Sequence, residues 1–94
     1  MDFTIPSDVE DLRRRIAAFV AHELIPLEAQ PDAYDAHGNI AHGPLEACRA
    51  KARAAGLWTL QLSREEGGHG LNRQGMAVCY EEMNRSIFGP VVFN

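Results

Sequence analysis

Ninety-four residues suit one domain and are too few for two. A chain of this size buries only roughly 60–65% of the surface its unfolded form exposes, so its core is thin, and 46% hydrophobic residues argues against disorder. Thirteen acidic against nine basic residues give a net charge of −4, which suits nucleic-acid phosphates poorly as partners.

No apolar run approaches the ~18 residues of a membrane-spanning helix. The start, Met1-Asp2-Phe3-Thr4, lacks a basic segment followed by an apolar one, so no secretory signal is expected. Arg13, Arg14 and Arg15 would suit an organelle transit peptide, but Asp8, Glu10 and Asp11 beside them do not. Cys48 and Cys79 fall on separate predicted helices without metal-type spacing, and read as two reduced, buried thiols. The cytoplasm is the default location.

Ser7-Asp8-Val9-Glu10 has the pattern of a capping box, a serine hydroxyl for the third helical amide and a glutamate reaching back. Val9, Leu12, Ile16, Phe19, Val20 and Leu24 follow at helical spacing and form one apolar stripe. Arg13 and Arg14 lie off it and are expected to face solvent. The first helix therefore spans about 8–24, and Pro26 makes its neighbourhood a boundary or kink.

Residues 28–43, rich in Pro, Gly, Asp and Asn, read as a surface loop. Gly43-Pro44 opens a second helix, with proline where a missing N–H costs nothing. Leu45, Cys48, Ala52 and Ala55 share its inner face, with Arg49, Lys51 and Arg53 away from it. Gly56 is placed to close the helix in a left-handed conformation, with Leu57 packing behind.

Asn72 caps a third helix reaching about Ser86, with Met76, Tyr80, Met83 and Ile87 as its buried stripe. Glu81, Glu82 and Arg85 are expected to point elsewhere, and Gly89-Pro90 to end the helix. Val91-Val92-Phe93 then stops without a turn or cap and reads as an element cut short. No strand pattern is present, so the fold class is all-α, with three or four amphipathic helices.

Gly67-Gly68-His69-Gly70 invites a phosphate-loop reading, but no strand precedes it and no Gly-Lys-Ser/Thr follows. Glycines free to take positive φ explain it better, as a reversal between the second and third helices. His69 then reads as a surface or turn histidine. His22, His37 and His42 match no standard zinc spacing, so no metal site is expected. The adjacent pairs Glu65-Glu66 and Glu81-Glu82 point different ways on any helix and read as solvated charges rather than an acid/base couple.

The order of these parts resembles the amino-terminal helical domain of the flavin-dependent acyl-CoA dehydrogenases. The matching segments are Gly56-Leu57-Trp58 at a helix end, Glu65-Glu66-Gly67-Gly68-His69-Gly70 at a turn, and Glu81-Glu82-Met83 in the third helix. Ser63-Arg64 departs from the family, which often has a proline before the two acidic residues. The resemblance covers nearly all of residues 1–94 and implies one such domain, truncated before a β domain. It implies FAD as cofactor of the full-length enzyme, though not bound to this chain alone. It also implies an acyl-CoA substrate, an electron-transfer flavoprotein as partner and a homo-oligomer. In the family, most flavin contacts and the catalytic glutamate lie in later domains, so no catalytic residue is assigned here.

The segment after the third helix walls the acyl pocket in this family, which makes Phe88, Val91, Val92, Phe93 and Asn94 candidates for lining or supporting it. The Arg85-Ser86-x-Phe88-x-Pro90-x-x-Phe93-Asn94 pattern also resembles a subgroup that handles branched or hydroxylated acyl groups. An acyl-CoA oxidase or flavin monooxygenase shares the architecture. A free-standing helical interaction module is the alternative of a different class.

Overall fold

A computed structural model of the chain describes residues 5–58, 64–66 and 68–93. They form α1 (Ser7–Phe19), a π-helical segment (Val20–Leu24), α2 (Ile25–Glu28), a 3-10 turn (Pro31–Ala33), α3 (His42–Ala54), a 3-10 turn (Arg64–Glu66), α4 (Arg73–Met83) and α5 (Gly89–Val92). The described residues contain no strand, only an isolated bridge between Tyr34 and Ile40. The all-α expectation holds.

The stripe expected on the first helix is the spine of the core. Val9, Leu12, Ile16, Phe19, Val20 and Leu24 are all buried, with Ile16 and Leu24 at 0% exposure. The capping box does not form. Pro6 is the N-cap, Ser7 is already helical, and no side-chain cap hydrogen bond forms. Glu10 instead accepts from the Arg13 guanidinium and, at 3.3 Å, from Arg14. Charge-assisted bonds of this kind are stronger than a capping bond, and the Arg13 bond holds the Glu10 carboxyl below its ordinary range.

The rod does not stop at Leu24. Pro26 lacks an N–H and its ring would clash with the carbonyl four residues back in a regular helix. The wider π turn takes up the mismatch: Ile25 N–H reaches back five residues to the Val20 carbonyl, and the chain stays helical to Glu28.

The segment 28–43 is more ordered than a plain surface loop. Tyr34 donates its hydroxyl to the Glu28 carbonyl at 2.8 Å, and Asp35 Oδ1 accepts from the amides of His37 and Asn39. Gly38, at φ +80°, completes this reversal. Ala33 is buried against the core.

Helix α3 begins at His42, one residue before the expected Gly43-Pro44 opening, with Ala41 as its N-cap. Pro44 remains in the first turn. Cys48 and Ala52 are buried, but Ala55 is exposed because the helix has already ended at Ala54. Gly56 closes it as expected, at φ +74°. Its amide bonds to Arg53 O, and the Leu57 amide bonds to Ala52 O at 2.8 Å, the paired pattern of a left-handed helix stop. Leu57 is buried behind it at 1% exposure.

Helix α4 is capped as expected, with Asn72 Oδ1 accepting from the Gly75 amide at 2.7 Å. Substituting Asn72→Ala is expected to cost about 1 kcal/mol, measured by urea unfolding. The buried face differs from the expected one. Gly75, Cys79, Glu82 and Met83 point inward, whereas Tyr80 and Ile87 are exposed. Two causes combine. The helix ends at Met83 rather than near Ser86, so Ile87 is not on its stripe. Glu82 is also drawn inward by Arg13 of α1, whose Nη1 donates to it at 2.8 Å, while Arg85 Nε binds its other oxygen at 2.9 Å. Glu82 is therefore a buried, paired carboxylate and Arg13 is not a simple solvent-facing residue.

Gly89-Pro90 does not end the third helix but opens α5. This single turn drives Val92 and Phe93 into the core, both at 0% exposure, with the Phe93 ring 5.4 Å from Phe19.

Candidate functional site

The tail residues singled out from the sequence fall into two groups. Val92 and Phe93 are core residues of this domain, and Asn94 lies outside the described residues. Phe88 and Val91 meet at an open depression of about 390 Å³, within the size range of small-molecule sites. Its walls are Leu45 and Arg49 of α3, Ile40 from the reversal after α2, and Ile87 and Val91. Phe88 is its most buried wall residue, at 3% exposure, and its ring rests 5.3 Å from Tyr34.

Local structure explains this placement. A hydroxyl–amide bond from Phe88 N–H to Ser86 Oγ, 3.1 Å, tightens the turn after α4, and Gly89 N–H then bonds Ser86 O. This turn sends Phe88 inward and leaves Ile87 at 65% and Val91 at 43% exposure. Two large apolar side chains four residues apart thus face outward beside the depression.

Among the described residues Arg49 is the one ionisable group lining it. Its Nε and Nη2 donate to the Val91 carbonyl at 3.1 and 2.9 Å, and its guanidinium carbon lies 5.6 Å from the Trp58 ring centroid. Arg53 covers the same ring at 4.5 Å. From sequence, Arg49 falls away from the packed face, Leu45 and Ile87 fall on buried stripes, and none of Ile40, Leu45, Arg49 or Ile87 is a site candidate. The spacing of Ile87 and Val91 was a usable signal; the role of Arg49 was not, since its acceptor is a backbone carbonyl 42 residues away.

Among the described residues this surface offers aliphatic and aromatic contact, and no nucleophile or carboxylate lines it. Burial pushes the thiols of Cys48 and Cys79 up from their ordinary range, which makes both poor nucleophiles. Among the described residues no three His, Cys, Asp or Glu side chains converge on a metal position, and no helix is long and apolar enough to cross a membrane.

The glycine-rich turn serves the end of α3. His69 Nε2 lies 2.6 Å from the Gly56 carbonyl, and the Arg15 guanidinium binds that of Ala55. The C-cap carbonyl of Ala55 and the Gly56 carbonyl just past it thereby gain partners. Gly70 takes φ +63°, as a reversal requires, while Gly67 and residues 59–63 lie outside the described residues.

Comparison with curated proteins and with solved structures found no match. Residues 6–93 do match the family model described as acyl-CoA dehydrogenase, N-terminal domain. A match of that extent, on an all-α chain with these helix ends and this turn, makes the chain a member of the acyl-CoA dehydrogenase amino-terminal domain family.

Proposed function

We propose that residues 1–94 form the amino-terminal domain of a flavin-dependent enzyme that introduces a double bond into the acyl chain of an acyl-CoA thioester. The family match over residues 6–93 carries this reading. The depression walled by Leu45, Phe88 and Val91 supports a part in bounding an aliphatic group. On this reading Val92 and Phe93 support that wall from beneath, while Asn94, also a candidate, lies outside the described residues.

FAD is the cofactor this reading implies for the whole enzyme. The described residues of this domain do not by themselves suit its ring system: no buried side-chain N or O atom lacks a partner, so the interior presents no orphaned donor or acceptor to it. No flavin contact is assigned to any residue here. An electron-transfer flavoprotein as acceptor, a homo-oligomeric assembly and a cytoplasmic location complete the proposal.

The complete product of the gene tests it. Purified with its flavin, it is expected to reduce an electron-acceptor dye when given acyl-CoA, with little oxygen consumed. Oxygen uptake matching acyl-CoA consumption would make it an oxidase of the same architecture. A product that binds no flavin and leaves every acyl-CoA unchanged would remove the enzyme reading. The exposed pair Ile87 and Val91 would then favour a helical interaction module.

A further inference from the structure

Helix α5 is a single turn, Gly89–Val92. A helix this short has no stability of its own, and its last carbonyls have no donors within the helix. Its inner side is fixed by Val92 and Phe93 in the core. Its outer side, which carries Val91, is held differently. Arg49 of α3 places two N–H donors on the Val91 carbonyl, at 3.1 and 2.9 Å.

The guanidinium that does this is itself held. It lies against the Trp58 ring, which Arg53 stacks upon from one helical turn further along α3. Trp58 stands directly after Leu57, the residue buried behind the α3 stop. Arg49 therefore joins three parts: the exposed side of α3, the connector leaving it, and the outer edge of α5. It also lines the depression, one turn from Leu45 and bonded to the Val91 carbonyl.

We propose that Arg49 is the positioning residue of the depression: by clamping the Val91 carbonyl to α3 it fixes the spacing between Leu45 and Val91, and so limits the bulk of the aliphatic group accepted there. The limit on aliphatic bulk rests on the acyl-CoA reading above; the clamp does not. Because Val92 and Phe93 anchor α5 independently, loss of Arg49 should loosen the Val91 edge and leave the fold in place.

Hydrogen exchange on the 94-residue chain and chain-length kinetics on the complete gene product test the two halves separately. The amides of Val92 and Phe93, bonded to Phe88 O and Gly89 O, report on α5. Arg49→Gln is expected to speed their exchange about tenfold while Ile16 and Cys79 stay as in the wild type. Arg49→Lys, which retains the charge but not the paired donors, should lie between. In the complete product, Arg49→Gln should shift preference toward longer or branched acyl-CoA, with the change carried by KM.

Unchanged exchange at Val92 and Phe93, or acceleration spread equally over Ile16 and Cys79, overturns the clamp. A normal chain-length profile in an active Arg49→Gln enzyme overturns its role in selecting aliphatic bulk. If the wild-type product turns over no acyl-CoA, the enzyme reading and the bulk limit fall together, and the exchange result still decides the clamp.

Discussion

Replacing Gly89 with alanine is expected to destabilise the domain by roughly 3 kcal/mol or more, one of the largest effects available to a single methyl group in this chain. A Cβ at this position would stand 1.9 Å from the Met83 carbonyl oxygen and 2.7 Å from its carbon. Both are backbone atoms, so no side chain can swing aside. Relief requires α5 to move off the end of α4, which withdraws Val92 and Phe93 from the core they fill at 0% exposure. For a domain of this size the melting temperature should fall by on the order of 10–20 °C. Gly43→Ala is the control: nothing lies within 4 Å of its Cβ, and it sits in the first turn of α3. That change should be neutral or stabilising by up to about 1 kcal/mol. Equal melting temperatures for the two variants would show that α5 does not press on α4 as described.

The contrast between these glycines also shows where sequence reasoning ran out. Gly56 was legible because a helix stop with a following apolar residue is a local pattern, and it forms as expected. The apolar stripe from Val9 to Leu24 was legible because its period is local too, and all six of its members are buried. From sequence Gly89 reads as a stop signal, because Gly-Pro usually is one. Its actual demand, close approach to Met83, depends on how two helices pack and leaves no mark on neighbouring residues. The same holds for α4. A stripe drawn through Met76, Tyr80, Met83 and Ile87 ignores the partner that turns Glu82 inward. At the candidate site, Phe88 and Val91 were legible as an apolar tail, but Arg49 became visible only once the fold set its guanidinium on the Val91 carbonyl. Ser7 failed for a different reason: two arginines outcompeted it for Glu10.

The Arg13–Glu82 pair should reveal itself as an asymmetric and strongly non-additive cycle. The side chain of Glu82 is 6% exposed and that of Arg13 is 31% exposed, so the two charges do not lose equally when stranded. Arg13→Met removes the partner that reaches Glu82 from α1 and leaves it with Arg85, which is 63% exposed and largely solvated. A buried carboxylate so weakened should cost about 2–4 kcal/mol. Glu82→Met leaves Arg13 able to turn toward water and still paired with Glu10, so it should cost only about 1 kcal/mol. In the double variant both charges are gone and both aliphatic stems remain to pack. It should be more stable than Arg13→Met alone, with a coupling energy of at least about 1 kcal/mol by urea unfolding. Additive losses, or a larger loss for Glu82→Met, would mean that Glu82 is in effect solvated and that α4 owes its orientation to apolar packing. A coupled result would instead place an ion pair among the forces that turn α4, and with it the start of the chain segment leading to α5 and the depression.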